Sequence, residues 1–242
     1  MNKETLKKIL PVNTIVHLIK YRGFSYPQGV FTSAIIKLLS KEKAVLIDAP
    51  CGYGDSTWQF AKLKNLTVYG YDIDPGVIEK AKKISRPNLF FDIADIRDIA
   101  KKHTDVKYFC IINSLFLLPE PDKILEAIRI NLSDDGKLFI VAPNINSVHF
   151  KRFQKDNPDV NKLILDINQL QRYFSSRGWF VDKTVKLAYT RSYKRKDAKL
   201  LSILSPVYLH FLNVFQSFFK LGKPNSYLFV LQKKRRINSI YN

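Results

Sequence analysis

A regular alternation of strand and helix patterns between residues 43 and 143 is the feature that most constrains the fold. Five short apolar runs, rich in β-branched and aromatic residues, are separated by four polar segments with helical spacing. The predicted strands cover residues 43–49, 66–72, 88–93, 107–113 and 136–143. The predicted helices cover residues 55–63, 75–84, a short stretch after Asp95, and 120–132. Parallel strands joined by right-handed helical crossovers satisfy this pattern, with helices on both faces of the sheet.

The alternation changes after Ser147. A helix is predicted over residues 166–179, a sixth strand over 180–189 and a seventh over 226–234. An insertion of residues 190–225 separates the last two strands. Residues 1–40 are predicted to form a helical lid segment before the sheet, and residues 41–242 to form one α/β domain.

The turn after the first predicted strand indicates a ligand. The stretch "AVLIDAPCGYGDSTW" (44–58) runs from an apolar strand into a turn that contains Gly52 and Gly54. Ligands of open parallel sheets bind at the carboxyl ends of the strands, and glycines let them approach the backbone closely. Asp55 or Ser56 is the predicted N-cap of the next helix. Both phosphate-binding alternatives are weakened, because no Gly-Lys-Ser/Thr is present and Thr57 replaces the last glycine of the dinucleotide fingerprint.

The order of four motifs resembles the class I S-adenosylmethionine-dependent methyltransferases. "VLIDAPCGYG" resembles their first motif, with Pro50 in place of its first glycine. "VYGYDID" (68–74) resembles the second motif and "FDIADIRDI" (91–99) the third. Residues 110–144 resemble the fourth strand, its helix and the fifth strand of that family.

The resemblance implies a fold and an activity. The implied fold is a three-layer, doubly wound α/β domain with a seven-stranded, mostly parallel sheet whose last strand is antiparallel. Helices cover both faces, and an N-terminal helical segment and a C-terminal helical insertion are added. The implied activity is transfer of a methyl group from S-adenosyl-L-methionine by in-line displacement, with S-adenosyl-L-homocysteine as product.

The resemblance also assigns cofactor-binding residues to the first two motifs. In the first motif these are Asp48, Pro50, Cys51, Gly52 and Gly54, and Asp48 orients the amino end of the cofactor. In the second motif, Asp72 accepts both ribose hydroxyls in a bidentate way, and Ile73 lies beside the adenine ring. Asp74 is predicted to cap the following helix, ahead of Pro75.

The later motifs supply the remaining candidate residues. Asp95 faces the adenine amino group and Ile96 supplies a backbone N–H to the ring, with Asp92 as the alternative register. Asn113, followed by Ser114, faces the methionine part of the cofactor and the acceptor. His149 is the candidate general base, and a surface histidine is the alternative. No metal site is predicted, because no Cys/His cluster has the spacing of metal ligands.

The charge of the chain predicts an anionic partner without choosing it. The formal net charge is +19, and residues 191–242 carry eleven Lys or Arg and one Asp. Residues 200–219 carry no charge, and the pattern is amphipathic from Tyr208 onward. This stretch is predicted either to cover the acceptor pocket or to rest on an anionic membrane surface.

The acceptor and the location of the protein are predicted only as classes. The leading prediction is a small-molecule, glycan or lipid-linked acceptor. The alternatives are an RNA-modifying methyltransferase and a non-catalytic protein that retains the fold. The polar N-terminus and the use of only two cysteines predict a cytoplasmic protein, with peripheral contact at the inner membrane surface as the variant. The oligomeric state stays open.

Overall fold

The computed structural model of the chain describes residues 26–158, 165–187 and 224–234. The strands in these ranges are β1 (Ala44–Asp48), β2 (Leu66–Asp72), β3 (Leu89–Ile93), β4 (Val106–Ile112), β5 (Leu132–Pro143), β6 (Trp179–Leu187) and β7 (Ser226–Lys233). The helices are α1 (Tyr26–Ile36), α2 (Asp55–Phe60), α3 (Pro75–Lys82), α4 (Ile96–Lys102), α5 (Pro121–Asn131), α6 (Val148–Asp156) and α7 (Ile167–Ser175). A short 3₁₀ turn, Leu115–Leu117, follows β4.

The strands form one seven-stranded sheet in the order β3-β2-β1-β4-β5-β7-β6. The pairs from β3 to β5 are parallel, and β7 runs antiparallel to both β5 and β6. The predicted fold class is therefore confirmed, including the antiparallel last strand. The strand order reverses between β1 and β4, which is where ligands of such sheets bind.

The central strands of the sheet are buried on both faces, which explains why they are continuous apolar runs. Leu46 packs in one core cluster together with Phe31 of α1 and Phe60 of α2. The next residue, Ile47, packs in the other cluster, which contains Ile99 of α4 and residues of α5 and α7. Because successive side chains of a strand point to opposite faces, a strand buried on both faces needs apolar residues at every position.

Three predicted boundaries need correction. α2 ends at Phe60 rather than at residue 63, because the chain turns from Ala61 onward. β5 begins at Leu132 rather than at residue 136, because Leu132 is buried and pairs with Val106 across a register irregularity in β4. α7 ends at Ser175 rather than at residue 179. Its first turn closes with a capping box between Asp166 and Gln169, and the chain turns at Gly178 with a φ of +79°.

The described end of the predicted lid segment forms α1 (Tyr26–Ile36), whose Phe31 and Ile35 are buried in the core. Residues 1–25 of the lid segment and residues 190–223 of the predicted insertion lie outside the described residues, as does the amphipathic stretch 208–219. Both therefore stay predictions. The described ends of the insertion do have a place in the fold, because Leu187 of β6 pairs with Ser226 of β7, which in turn pairs with Pro143 at the carboxyl end of β5. In the part of the chain that the structure describes, no helix is long and apolar enough to span a bilayer.

Candidate functional site

A cavity of about 350 Å³ lies at the carboxyl edge of the sheet, beside the point where the strand order reverses. Its lining residues come from the end of β1, the glycine turn, the start of α2, and the ends of β2 and β4. They are Asp48, Pro50, Cys51, Gly52, Tyr53, Asp55, Ser56, Asp72, Ile112 and Ser114. The volume lies in the range of small-molecule sites.

The carboxylate of Asp72 is held by the backbone of two loops. The N–H of Gly52 donates to Oδ2 at 2.9 Å, and the N–H of Asp74 donates to Oδ1 at 3.2 Å. The N–H of Cys51 donates to the carbonyl of Tyr71 at 2.7 Å, so the glycine turn is tied to β2 at two points. Asp72 thus faces the cavity in a fixed orientation, as its predicted role requires.

The two glycines of the turn have different physical reasons to be glycine. Both have positive φ, +53° at Gly52 and +78° at Gly54. A Cβ on Gly52 would meet nothing within 4 Å, so open space lies above this residue. A Cβ on Gly54 would lie 2.5 Å from Cζ of Phe91. The packing against Phe91 therefore accounts for Gly54, whereas Gly52 leaves room at the cavity.

Asp48 ends β1 and is 1% exposed. The hydroxyl of Thr57 donates to its Oδ2 at 2.7 Å. Burial raises the pKa of Asp48 to about 7; the Thr57 hydrogen bond opposes this rise, and the charge of Asp72 adds to it. A cation in the cavity would favour the ionised form of this carboxyl.

Cys51 lies at the cavity as a buried free thiol. Burial raises the pKa of this thiol well above its ordinary value, and the charges of Asp48 and Asp72 raise it further. The protonated thiol is a poor nucleophile, so Cys51 forms part of the cavity wall rather than a reactive group.

The predicted caps of α2 and α3 have different outcomes. Asp74 is the N-cap of α3 and accepts hydrogen bonds from the N–H groups of Gly76 and Val77, as predicted. The prediction for α2 is wrong, because its N-cap is Gly54 in a left-handed conformation and no side chain caps the helix. Asp55 and Ser56 are instead in the first turn of α2, where both line the cavity.

Of the two registers for the adenine-facing acid, Asp95 is the one beyond the end of β3. It is the N-cap of α4, and its carboxylate binds Arg97. Hydrogen bonds from Arg97 hold the pKa of Asp95 below its usual range. Asp92 lies within β3 and pairs with Lys102 at 2.8 Å on the exposed surface. Neither Asp95 nor Ile73, which is 66% exposed, belongs to the cavity lining.

Asn113 and Ser114 follow β4, and each has a side-chain oxygen without a hydrogen-bond partner. The N–H of Asn113 donates to the carbonyl of Val141 at 2.9 Å, while its φ of +55° is unusual for a residue other than glycine. Oδ1 of Asn113 and Oγ of Ser114 are buried without a hydrogen-bond partner. Because such atoms cost free energy, their position beside the cavity is consistent with a ligand that pairs with them.

Two further residues were predicted from the sequence to belong to the site, and three residues that line the cavity were not. Ile96 is the first residue of α4 and packs into the core. His149 lies in α6, but its side chain is outside the described set, so its predicted role is untested. The sequence did not assign Tyr53, Asp55 and Ser56 to the site. The only available signal was their position in the glycine turn and the first turn of α2.

The chain matches a known protein family over most of its length. Residues 40–197 match the model of a family described as "Methyltransferase domain". The chain belongs to the class I S-adenosylmethionine-dependent methyltransferases. No curated protein sequence matches this methyltransferase significantly.

Solved structures of low sequence identity share the fold of this methyltransferase. A chain of the complex between the Haloferax volcanii Trm112 activator and a methyltransferase has a TM-score of 0.65 and 13% identity, covering 93% of this chain and 94% of that chain. The plantazolicin methyltransferase BamL, solved with a triazolic substrate analogue and S-adenosylhomocysteine, has a TM-score of 0.63 and 15% identity, covering 97% and 100%. A methyltransferase from Archaeoglobus fulgidus has a TM-score of 0.60 and 15% identity, covering 90% and 99%.

Proposed function

We propose that this methyltransferase binds S-adenosyl-L-methionine in the cavity at the carboxyl edge and methylates a small-molecule acceptor, including glycan or lipid-linked molecules. The observation that carries the proposal is electrostatic. In a chain of net charge +19, this cavity is lined by three carboxylates, those of Asp48, Asp55 and Asp72. A ligand with a sulfonium and an ammonium group suits such a lining, whereas a phosphate-bearing nucleotide does not.

The ribose is proposed to bind at Asp72. Each of its carboxylate oxygens already accepts one backbone N–H, which fixes the orientation of the group. A carboxylate has about four acceptor positions, so two remain for the ribose hydroxyls. Gly52 leaves the space in which the sugar and the methionine chain pass close to the backbone.

The two ends of the cofactor are assigned to different loops. Asp48 is proposed to hold the ammonium group, since an adjacent cation favours its ionised form. Oδ1 of Asn113 and Oγ of Ser114, which are buried without a hydrogen-bond partner, are proposed to bind near the same ammonium end of the cofactor. At the other end, Ile73 is proposed to cover the adenine ring, while Asp95 and the N–H of Ile96 bind its polar edge. Pro50 and Cys51 form the wall between the two ends.

For methyl transfer, the protein must mainly align the methyl donor with the acceptor and exclude water. When bound, the cofactor would supply a methyl group activated by the sulfonium, which an acceptor atom can attack in line while the thioether of S-adenosylhomocysteine leaves. The side chains at the edge hold the donor in one position and keep solvent away from it. His149 of α6 is proposed as the base for a hydroxyl acceptor, a role that needs its own test.

An aromatic cluster supports an apolar acceptor. Phe116, in the 3₁₀ turn after Ser114, contacts Phe150 and Phe153 of α6 with ring centroids 5.9 Å apart in both pairs. The 3₁₀ turn follows the carboxyl end of β4 and α6 follows that of β5, so both elements come after the sheet edge at which the cavity lies. An acceptor that packs against aromatic rings fits a small organic molecule better than a polyanion.

Titration calorimetry with S-adenosylhomocysteine tests the cofactor site. The Asp72→Ala variant is expected to lose at least about tenfold in affinity, because the ribose hydroxyls lose a charged acceptor. The Asp92→Ala variant is the matched control, since this exposed acid lies on the neighbouring strand, and it is expected to bind like the unmodified protein. Gly52→Asn, which tolerates positive φ, is expected to fold normally but to bind poorly.

The same experiment identifies the alternatives. If the unmodified protein shows no affinity for S-adenosylhomocysteine and no rise in melting temperature with it, the chain is a non-catalytic protein that retains the fold. If Asp92→Ala weakens binding while Asp95→Ala does not, the register of the third motif is shifted by three residues.

A further inference from the structure

Arg97 surrounds the carboxylate of Asp95. Its backbone N–H and its Nε each donate to Oδ1 at 2.9 Å, and its Nη2 donates to Oδ2 at 2.5 Å. The remaining arm of the guanidinium, Nη1, donates to Oε2 of Glu120 at 2.8 Å. Glu120 also pairs with Lys123. One arginine therefore ties the acid proposed to face adenine to a second acid in another loop.

The network joins the loops that precede α4 and α5. Asp95 lies between β3 and α4, whereas Glu120 lies between the 3₁₀ turn after β4 and the start of α5. Glu120 has a φ of +50°, a conformation that residues other than glycine rarely adopt. Backbone strain of this kind persists where the surrounding contacts require it and is found preferentially at functional sites.

Arg97 occupies most of the hydrogen-bond acceptor positions on the carboxylate of Asp95. A carboxylate has about four acceptor positions, and Arg97 occupies two on Oδ1 and one on Oδ2 of Asp95. We infer that Arg97 is a positioning residue: it leaves Asp95 a single acceptor on Oδ2 and holds that acceptor in place for the adenine amino group, so that Asp95 discriminates adenine from a 6-oxopurine. This inference rests on the proposed function, which places the adenine amino group at Asp95.

Helix capping alone does not require this arrangement. The N–H of Arg97 already caps α4 through Oδ1, so the guanidinium contacts are additional. A similar fork exists in α5, where Arg129 donates to Glu126 from Nε at 2.9 Å and from Nη2 at 2.7 Å. That pair lies three residues apart on one helix and joins no second loop, so it provides a matched control.

The test compares two ligands that differ only at the purine. Calorimetry is done with S-adenosylhomocysteine and with S-inosylhomocysteine, in which an oxo group replaces the amino group. The unmodified protein is expected to prefer the adenosyl ligand by at least about tenfold, because the oxo group presents an acceptor to a carboxylate. Arg97→Gln is expected to reduce the preference to within about threefold by losing adenosyl affinity. Arg129→Gln is expected to keep the full preference.

Two further variants separate positioning from a general structural effect. Arg97→Lys keeps the charge but cannot occupy both carboxylate oxygens as a fork, so it is expected to behave like Arg97→Gln. Glu120→Gln leaves the contacts between Arg97 and Asp95 but weakens the anchor of Arg97, together with the pair that Glu120 forms with Lys123, so it is expected to lose part of the preference. It also serves as the test if Arg97→Gln does not fold.

The outcomes that overturn the inference are distinct from failure of the proposed function. An unchanged preference in Arg97→Gln overturns the role of Arg97, as does an equal loss of affinity for both ligands. A wild-type protein that binds S-adenosylhomocysteine but does not discriminate against the inosyl ligand overturns it as well. A wild-type protein that binds neither ligand overturns the proposed function, and the inference with it.

Discussion

At the scale of single residues, Asp48 couples the ionisation of the site to the stability of the fold. Its carboxyl is buried at the end of β1, and its pKa is raised to about 7 from an ordinary value of 3.8. The folded protein therefore holds this proton more tightly than the unfolded chain does. The resulting stabilisation is present at acid pH and is lost as the pH rises through 7.

The Asp48→Asn variant tests this coupling. Asparagine keeps an oxygen that can accept the Thr57 hydrogen bond, but it does not ionise. Between pH 5 and pH 8, the unfolding free energy of the unmodified protein is expected to fall relative to that of the variant by about 2 kcal/mol. Urea unfolding of both proteins at the two pH values measures the difference. A constant difference across this range would show that Asp48 titrates as an ordinary acid.

The residue positions that the sequence predicts well are those fixed by the place of a residue along a strand. Asp72 ends a buried run, and the end of a parallel strand has only one place in such a sheet. The contacts of Arg97 with Asp95 and Glu120 were not predictable in the same way. They depend on side-chain rotamers and on two loops that approach each other across 23 positions of sequence.

At the scale of elements, one aromatic ring determines how α2, β2 and β3 pack. Phe91 of β3 lies where a side chain on either Gly54 or Gly70 would stand. A Cβ on Gly70 would lie 2.6 Å from Cδ1 of Phe91 and 2.9 Å from Cγ2 of Thr57. The small residues thus allow the glycine turn to lie against β2 and β3, which brings Gly52 within reach of Asp72.

Substitution of Gly70 by alanine tests this packing. Overpacking against Phe91 is expected to lower the free energy of unfolding by about 1–3 kcal/mol. Adding Phe91→Leu is expected to recover part of that loss, because the new side chain relieves the contact. Gly76→Ala is the control, since its Cβ would meet only Oδ1 of Asp74 at 3.4 Å, and alanine favours the helix. Thermal or urea unfolding of the four proteins gives the comparison, and an unaffected Gly70→Ala would contradict this account.

The same packing explains which elements were predictable. The central strands follow from their apolar runs because both of their faces are covered. The N-cap of α2 does not follow, because residue preferences favour Asp55 or Ser56 over a glycine. The turn instead ends in the left-handed conformation of Gly54, and the displaced polar side chains line the cavity. A side chain at this cap position would collide with Phe91, which lies 37 residues further along the chain, so the requirement for glycine depends on a distant residue.

At the scale of the whole molecule, the net charge and the charge of the cavity have opposite signs. The chain carries a net charge of +19, while the cavity gathers the three carboxylates named above. The overall charge attracts polyanions over long distances, whereas the acidic lining of the cavity favours the cationic cofactor proposed above at short range. Affinity for RNA alone is therefore poor evidence for RNA as the acceptor.

The salt dependence of binding separates these two effects. If the basic surface contacts phosphates without a specific site, RNA affinity is expected to fall about a thousandfold or more between 50 and 200 mM salt, because each contact releases counterions. The affinity for S-adenosylhomocysteine is expected to change little, since that ligand is a small zwitterion held at close range. Fluorescence anisotropy with labelled tRNA and calorimetry with the cofactor product, both at the two salt concentrations, measure the contrast. If tRNA remains tightly bound at 200 mM salt, the phosphate contacts are supplemented by specific ones, and an RNA acceptor replaces the small molecule proposed above.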